Sequence, residues 1–349
     1  MTLDWLGRRV LITGHTGFKG AWLSHWLIRR GADVYGLALA PDTEPSLFDQ
    51  LALADRLNHF IGDIRTQGLA AARVSEVQPD VIFHLAAQSL VRRSYADPIA
   101  TWDTNVMGTL HLLEASRTLA KPCAIVVVTT DKVYENREWL HPYREPDRLG
   151  GHDPYSASKA AVELLVASHS RAFLQNGQVR LSTARAGNVI GGGDWAADRV
   201  LPDLARALAA RIPLTLRNPG AVRPWQHVLD PLAGYIALAD RMLAGEYVPD
   251  AINFGPELAD LASVQRLVET ALKYWPGSWK AEPTSSAPHE AGLLTLSIEL
   301  ARSTLGWVPR WGLDEAVSRS MAWYRGVHEG ANPVALTDAQ ITDFEAAAR

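Results

Sequence analysis

The chain has 349 residues, 47% of them hydrophobic and 21% charged, with a net charge of −4. That length allows two domains, or one large domain with an appended lobe, around a core that needs no disulfide or metal staple. The weakly acidic balance gives no electrostatic case for nucleic acid or a membrane surface, and the single Cys123 rules out an internal disulfide and fits a reducing compartment.

No basic segment precedes a long apolar stretch at the N-terminus, and no apolar run approaches the roughly 20 residues of a membrane span. A soluble, cytoplasmic protein is expected, with neither nucleic acid nor membrane among its partners. In chain order, β-branched runs at 8–14, 32–39, 58–63, 80–87 and 124–131 read as strands, and Cys123 reads as a buried strand residue. Helical spacing fills the stretches between them, at 19–31, around 68–77 and at 105–120. A further helix is predicted from Pro154 to Phe173 and a sixth strand over 179–191. Near-continuous apolar strands alternating with helices predict an α/β fold, a doubly wound parallel sheet covered on both faces.

Beyond residue 190 the texture changes to Gly, Pro and Trp, and seven of the twelve tryptophans lie at or after Trp195. This predicts a smaller C-terminal lobe closing over the carboxyl edge of the sheet. The run at 250–256 is expected to return to that sheet as another strand. The expected division is therefore 1–187, with a return segment at about 228–256, against a lobe of 188–227 and 257–349.

Gly14, Gly17 and Gly20 follow the first strand and open a helix. Glycine permits a tight turn and close approach to a pyrophosphate, and the helix N-terminus supplies N–H donors. The spacing is G-x-x-G-x-x-G rather than G-x-G-x-x-G, so its placement after the strand carries the reading. Phe18 lies within this cradle. The acid that reads the cofactor ribose is missing from Leu37-Ala38-Leu39; Asp33 comes early and Asp42 falls in the next loop. NAD and NADP are thus not separated by the second strand. Asp63, with Ile64 beside it, is placed to meet the adenine or merely to cap a loop. Ala86, Ala87 and Gln88 end the fourth strand with room for a cofactor, or simply form a tight turn.

Tyr155 and Lys159 stand four apart on one helical face, after a capping Asp153 and with Pro154 at the first helical position. The ammonium and the helix dipole are expected to favour the phenolate, making Tyr155 a usable base. Cradle and pair together resemble the extended short-chain dehydrogenase/reductase superfamily, which implies a Rossmann sheet and a nicotinamide cofactor. Thr130, Asp131 and Lys132 end the fifth strand, at the catalytic edge of such a sheet. A threonine hydroxyl there suits assistance to Tyr155. The adjacent acid and lysine make sense if the enzyme also removes water, and otherwise form a loop ion pair of little consequence.

Longer stretches carry a closer resemblance. "GHTGFKGAWLSHWL", "HLAAQSLVRRSY", "DPYSASK", "RAGNVIGGGDWAADRVLPD" and "RPWQHVLDPL" resemble the CDP-glucose 4,6-dehydratase branch, from about residue 7 to the last thirty or so. The resemblance implies bound NAD, CDP-glucose as substrate and a place in deoxysugar biosynthesis, as for lipopolysaccharide O-antigen. It implies Tyr155 as the base for C4 oxidation, Lys159 as its electrostatic partner, Thr130 as a positioner of the hexose and Asp131 as the acid at C6. Lys132 stands where dTDP-glucose dehydratases carry glutamate, a replacement this branch shares. Lys132 must be depressed by burial or another cation to act as a base, and otherwise stabilises the enolate, so the C5 base stays open. Asn188 and Arg223 are the leading nucleotide-sugar contacts, an arginine fork suiting a pyrophosphate. Arg199, Trp225 and His227 come second, against surface charge, packing and a satisfied core histidine. His15 and Lys19 are read as loop residues, with a phosphate in reach of Lys19 as the less favoured alternative, and no metal site is expected. The helix 154–173 carries apolar residues around much of its circumference, which predicts a homodimer or burial beneath the lobe. Other nucleotide-sugar 4,6-dehydratases, a 4-epimerase and a non-catalytic dinucleotide sensor are the competing readings.

Overall fold

The computed structural model describes residues 4–174, 178–282 and 292–347. Seven parallel strands form the central sheet: β1 (Arg9–Thr13), β2 (Asp33–Ala38), β3 (Asn58–Ile61), β4 (Val81–His84), β5 (Cys123–Thr130), β6 (Val179–Ala186) and β7 (Ala251–Phe254). They lie in the order β7-β6-β5-β4-β1-β2-β3, the doubly wound arrangement the alternating pattern predicts. β5 is buried along its whole length, as expected of a strand covered on both faces. The predicted return of 250–256 to the sheet is seen as β7, paired with β6 from Ala251 against Thr183 to Phe254 against Ala186.

One face is covered by α1 (Phe18–Arg29) and the other by α2 (Leu69–Val77), α3 (Gly108–Ser116) and α4 (Pro154–Phe173). The helix predicted over 105–120 is a longer helical run, with Pro98–Trp102 and a wider π turn at Asp103–Met107 leading into α3. α4 begins as its sequence requires: the Asp153 carboxylate accepts from the Ser156 N–H at 2.9 Å and the Ser156 hydroxyl at 2.6 Å, with Pro154 next in the chain.

The predicted strand over 179–191 breaks in two. After β6, the pair Val189–Ile190 leaves the sheet and joins Gln226–His227. Gly187 marks the break, where a Cβ would stand 2.7 Å from the Pro224 ring. β3 likewise ends at Ile61, so Asp63 lies in the following loop rather than at the strand end.

Beyond β6, α5 (Val200–Ala209), α7 (Val264–Tyr274) and α8 (Leu313–His328) build the C-terminal part around small strand pairs, while α6 (Leu229–Leu243) returns to pack on β5 and β6. The tryptophans serve it as cross-braces: Trp225 donates to the Ala262 carbonyl, Trp307 to that of Asp230, and Trp323 to the Thr337 hydroxyl. The last helix, α9 (Pro333–Ala346), returns to α1, with Trp26 bonded to Glu345 at 2.7 Å and Phe344 packed edge-on against Trp26 and Trp311. No helix among the described residues is long and apolar enough to cross a membrane, and no cluster of metal-ligating side chains occurs among them.

Candidate active site

A cavity of about 680 Å³ runs along the carboxyl edge of the sheet, and a second of about 520 Å³ adjoins it. The first begins at the cradle. Gly14 turns with φ +76°, and a Cβ there would strike the Ala86 backbone at 2.7 Å. At Gly20 a Cβ would fall 2.1 Å from the Gly14 carbonyl oxygen, so this glycine lets helix and turn touch. Gly17 caps α1, and a Cβ there meets only the Gly14 oxygen at 3.5 Å, leaving the helix N-terminus open to the cavity. These positions suit a pyrophosphate, which needs N–H donors and a close backbone.

Phe18, Asp63, Ile64, Ala86, Ala87 and Gln88 all line the same cavity. Asp63 is forked by Arg65, with contacts of 2.6 and 2.9 Å, and this hydrogen bonding holds its carboxyl below the usual range. Gln88 is fixed by Asn105, which accepts its backbone N–H at 2.8 Å and donates to the Ser158 hydroxyl on α4 at 2.9 Å. Asn105 and Ser158 were not singled out from the sequence. Small polar residues inside helical runs carry no periodic signal there. Asp42, exposed in the loop after β2, also lines the cavity.

Thr130, Asp131, Lys132, Tyr155 and Lys159 converge at the middle of the cavity. The Thr130 hydroxyl donates to Asp131 Oδ1 at 2.9 Å, and the other carboxylate oxygen is buried with no partner among the described residues. Such an atom is costly unless something arrives to bond it. Lys132, half-buried, faces both cavities. Lys159 Nζ donates to the Val128 carbonyl at 3.0 Å, and burial brings its pKa down to about 8, against the pull of Glu163.

The expectation of a favoured phenolate is corrected here. Burial pushes the Tyr155 hydroxyl up to about 12, and a hydrogen bond with Thr130 opposes this only in part. Desolvation of the anion outweighs what the protein's own charges give back. Lys19 stands in the first turn of α1 rather than in a loop and lines the cavity, which sides with the less favoured alternative given for it. Its Nζ lies 3.4 Å from the Tyr235 hydroxyl, and burial with Arg199 and Lys159 nearby brings it down to about 7.

Asn188, Arg199 and Arg223 line both cavities and Trp225 lines the first. Arg199 is held by Asp194 at 2.8 Å and reaches Ser89 at 3.3 Å. Arg223 is buried, donating to the Val222 carbonyl at 2.9 Å. Trp225 is braced through its N–H to the Ala262 carbonyl and edges the cavity. His227 lies elsewhere. It is fully buried, edge-on to Trp22 and Trp311 with ring centroids 6.0 and 4.7 Å away, and burial drives its pKa down to about 3. It is a core histidine, and His-Val after a buried β-bridge gives no sequence sign of which way the ring turns.

A seven-stranded parallel sheet that brings a glycine cradle and a Tyr-x-x-x-Lys pair to one edge defines an extended short-chain dehydrogenase/reductase. Solved structures agree: a UDP-glucose 4-epimerase from Stenotrophomonas maltophila superposes with a TM-score of 0.80 at 21% identity, over 93% of this chain and 100% of that one. A dTDP-glucose 4,6-dehydratase from Streptomyces venezuelae, solved with NAD bound, gives 0.78 at 26% identity over 93% and 99%. The chain belongs to the GDP-mannose 4,6-dehydratase family, whose model matches residues 11–320. It is 44% identical to the CDP-glucose 4,6-dehydratase of Salmonella typhimurium over 98% of both chains. It is 31% identical to the dTDP-glucose 4,6-dehydratase of Streptomyces griseus, over 90% of this chain and 93% of the other.

Proposed function

We infer that this chain is a CDP-glucose 4,6-dehydratase that uses NAD and yields CDP-4-keto-6-deoxy-D-glucose. The observation that carries the reading is a buried, half-unpaired Asp131 beside Thr130 and Lys132 in the same cavity as Tyr155 and Lys159, in a chain 44% identical to an enzyme of that name. Bound NAD would supply an acceptor for the hydride of C4 and a donor of it to C6. The cradle of Gly14, Gly17 and Gly20, with Phe18, Asp63, Ile64 and 86–88, holds it.

Tyr155 takes the proton of the C4 hydroxyl, with Thr130 sharing the hydrogen bond and Lys159 supplying positive charge beneath. The resulting C4 ketone acidifies the C5 proton, which Lys132 removes as the amine or whose loss it assists as the ammonium. Asp131 protonates the departing C6 hydroxyl, so one water leaves and a C5–C6 double bond forms. Return of the hydrogen to C6 and a proton to C5 completes the 6-deoxy product. Asn188, Arg199, Arg223 and Trp225 bind the nucleotide-sugar, the arginines at its pyrophosphate. A 4-epimerase needs no acid where Asp131 stands.

The chain acts as a cytoplasmic homodimer in deoxysugar biosynthesis. Ile99, Trp102, Met107 and Leu164 are exposed apolar residues, 82%, 41%, 41% and 64% accessible, on the helical run 98–107 and on α4 packed beside it. A second copy covering this face accounts for them.

The test is mass spectrometry of CDP-, dTDP-, UDP- and GDP-glucose after incubation with protein and NAD. Loss of one water from CDP-glucose alone is expected. Water loss from another nucleotide overturns the choice of base, and no mass change overturns the dehydration.

A further inference from the structure

Behind the cavity, on the side of α4 facing the sheet, lies a charged pair that touches neither cavity. Glu163 and Arg185 meet at 2.7 Å, their side chains 3% and 5% exposed. A buried ion pair is seldom retained for stability, because removing both charges from water costs about as much as their attraction returns. Its position suggests another use. Glu163 lies one helical turn beyond Lys159, where side chains four apart are neighbours.

Three consecutive residues at the end of β5 are fixed by this helix. The Val128 carbonyl accepts from Lys159 Nζ at 3.0 Å, the Thr129 hydroxyl donates to Glu163 Oε1 at 2.5 Å, and the Thr130 hydroxyl meets Tyr155. Glu163 Oε2 accepts from the Thr183 hydroxyl at 2.7 Å and from Arg185, which also donates to the Tyr134 hydroxyl and the Glu145 carbonyl. The carboxylate is therefore pinned from β5 and β6 at once and cannot swing away from Lys159.

We propose that Glu163, anchored by Arg185, is a positioning residue for the reaction: it keeps Lys159 charged and the end of β5 seated beneath Tyr155. The inference rests on the dehydratase reading above. The other titratable groups facing Lys159 are Tyr155 on its own helix, Lys19 on α1 and His84 on β4. Lys19 repels the ammonium when charged. His84 is driven down to about 3 by burial and is neutral. Glu163 is the group that opposes the effect of burial on Lys159.

The experiment follows the lysine itself. In full-length protein with carbon-13 at lysine Cε, the six lysines are titrated by NMR, the Lys159 signal being assigned with Lys159→Met. In Glu163→Gln the Lys159 midpoint is expected at lower pH than in the wild type. The alkaline limb of the kcat profile should move the same way, costing about tenfold in kcat at pH 8, while KM for CDP-glucose stays within about twofold. Glu163→Asp, which keeps the charge, should restore the midpoint. If Glu163→Gln does not fold, it is made together with Arg185→Met and the Lys159 midpoint is compared with that of Arg185→Met alone, so that the lost arginine charge cancels and only that of Glu163 is read. An unchanged Lys159 midpoint and an unchanged alkaline limb in a folded variant would overturn the proposal. A wild type that turns over no sugar nucleotide would instead overturn the functional reading, since the lysine titration needs no substrate.

Discussion

Tyr155 carries the heaviest demand of any single residue. It must give up a proton from a site where burial raises its pKa to about 12, so the folded protein alone keeps it as the phenol at neutral pH. Replacing it with Phe keeps the ring and its packing and removes only the hydroxyl. Tyr155→Phe is expected to lower kcat by roughly 10²–10⁴-fold, the usual worth of a positioned acid–base group, with an unchanged circular dichroism spectrum. Turnover at the wild-type rate would contradict the assigned role. At this scale the placement of residues was legible where residue type met the end of an element, Thr130 and Asp131 at the end of a strand and Tyr155 and Lys159 in the first turns of a helix, all four lining one cavity. It was silent on orientation. His227 and Lys19 exchanged places, one turning into the core between two indoles and the other reaching into the cavity. Lys19 sits in the first turn of α1 and His227 in a two-residue strand, elements too short or too near their start for a local pattern to say which way the side chain points.

At the scale of elements, α4 is the part the rest depends on. Its bounds were legible to the residue because a capping acid, a proline and an apolar run fall in the order a helix start requires. Asp153→Ala removes both bonds to Ser156 and should cost about 1 kcal/mol of stability, measured by urea unfolding, with a fall in kcat as the first turn bearing Tyr155 loosens. No change in either would mean that the cap does not set the position of the tyrosine. The strand predicted over 179–191 was too long because Val189 and Ile190 have β character in either sheet. What separates them from β6 is a contact between Gly187 and Pro224, distant in sequence and so invisible to a local pattern. A second consequence falls on α6. Asp230, near its start, is buried and raised to about 7, because desolvation outweighs the backbone hydrogen bonds from Arg310, at 2.6 Å, and Trp311. Its folded pKa lies above the ordinary 3.8, so the folded state binds the extra proton. Stability is fullest below about pH 4 and is lost as pH rises toward 7. Asp230→Asn lacks this loss, so its stability relative to wild type should improve by about 4 kcal/mol between pH 4 and 8. Parallel pH profiles of the two proteins would contradict it.

For the molecule as a whole, the sheet order and the two-sided covering follow from the strand–helix alternation and were legible in outline. The closing of the chain was not: α9 returns to brace α1 through Trp26, Glu345 and Phe344, a pairing across more than three hundred residues. The exposed apolar face predicts a dimer, and Ile99→Glu with Leu164→Glu should halve the mass found by light scattering without loss of fold. A wild type that is monomeric at micromolar concentration would contradict that.

On the proposed reading one site oxidises C4, removes water and reduces C6. It is tested most directly with CDP-glucose deuterated at C4, incubated with the enzyme and NAD in ordinary water. A product one water lighter is expected, with the deuterium kept and now in the C6 methyl group. Deuterium lost to solvent, or still on C4 of a product of unchanged mass, would contradict it.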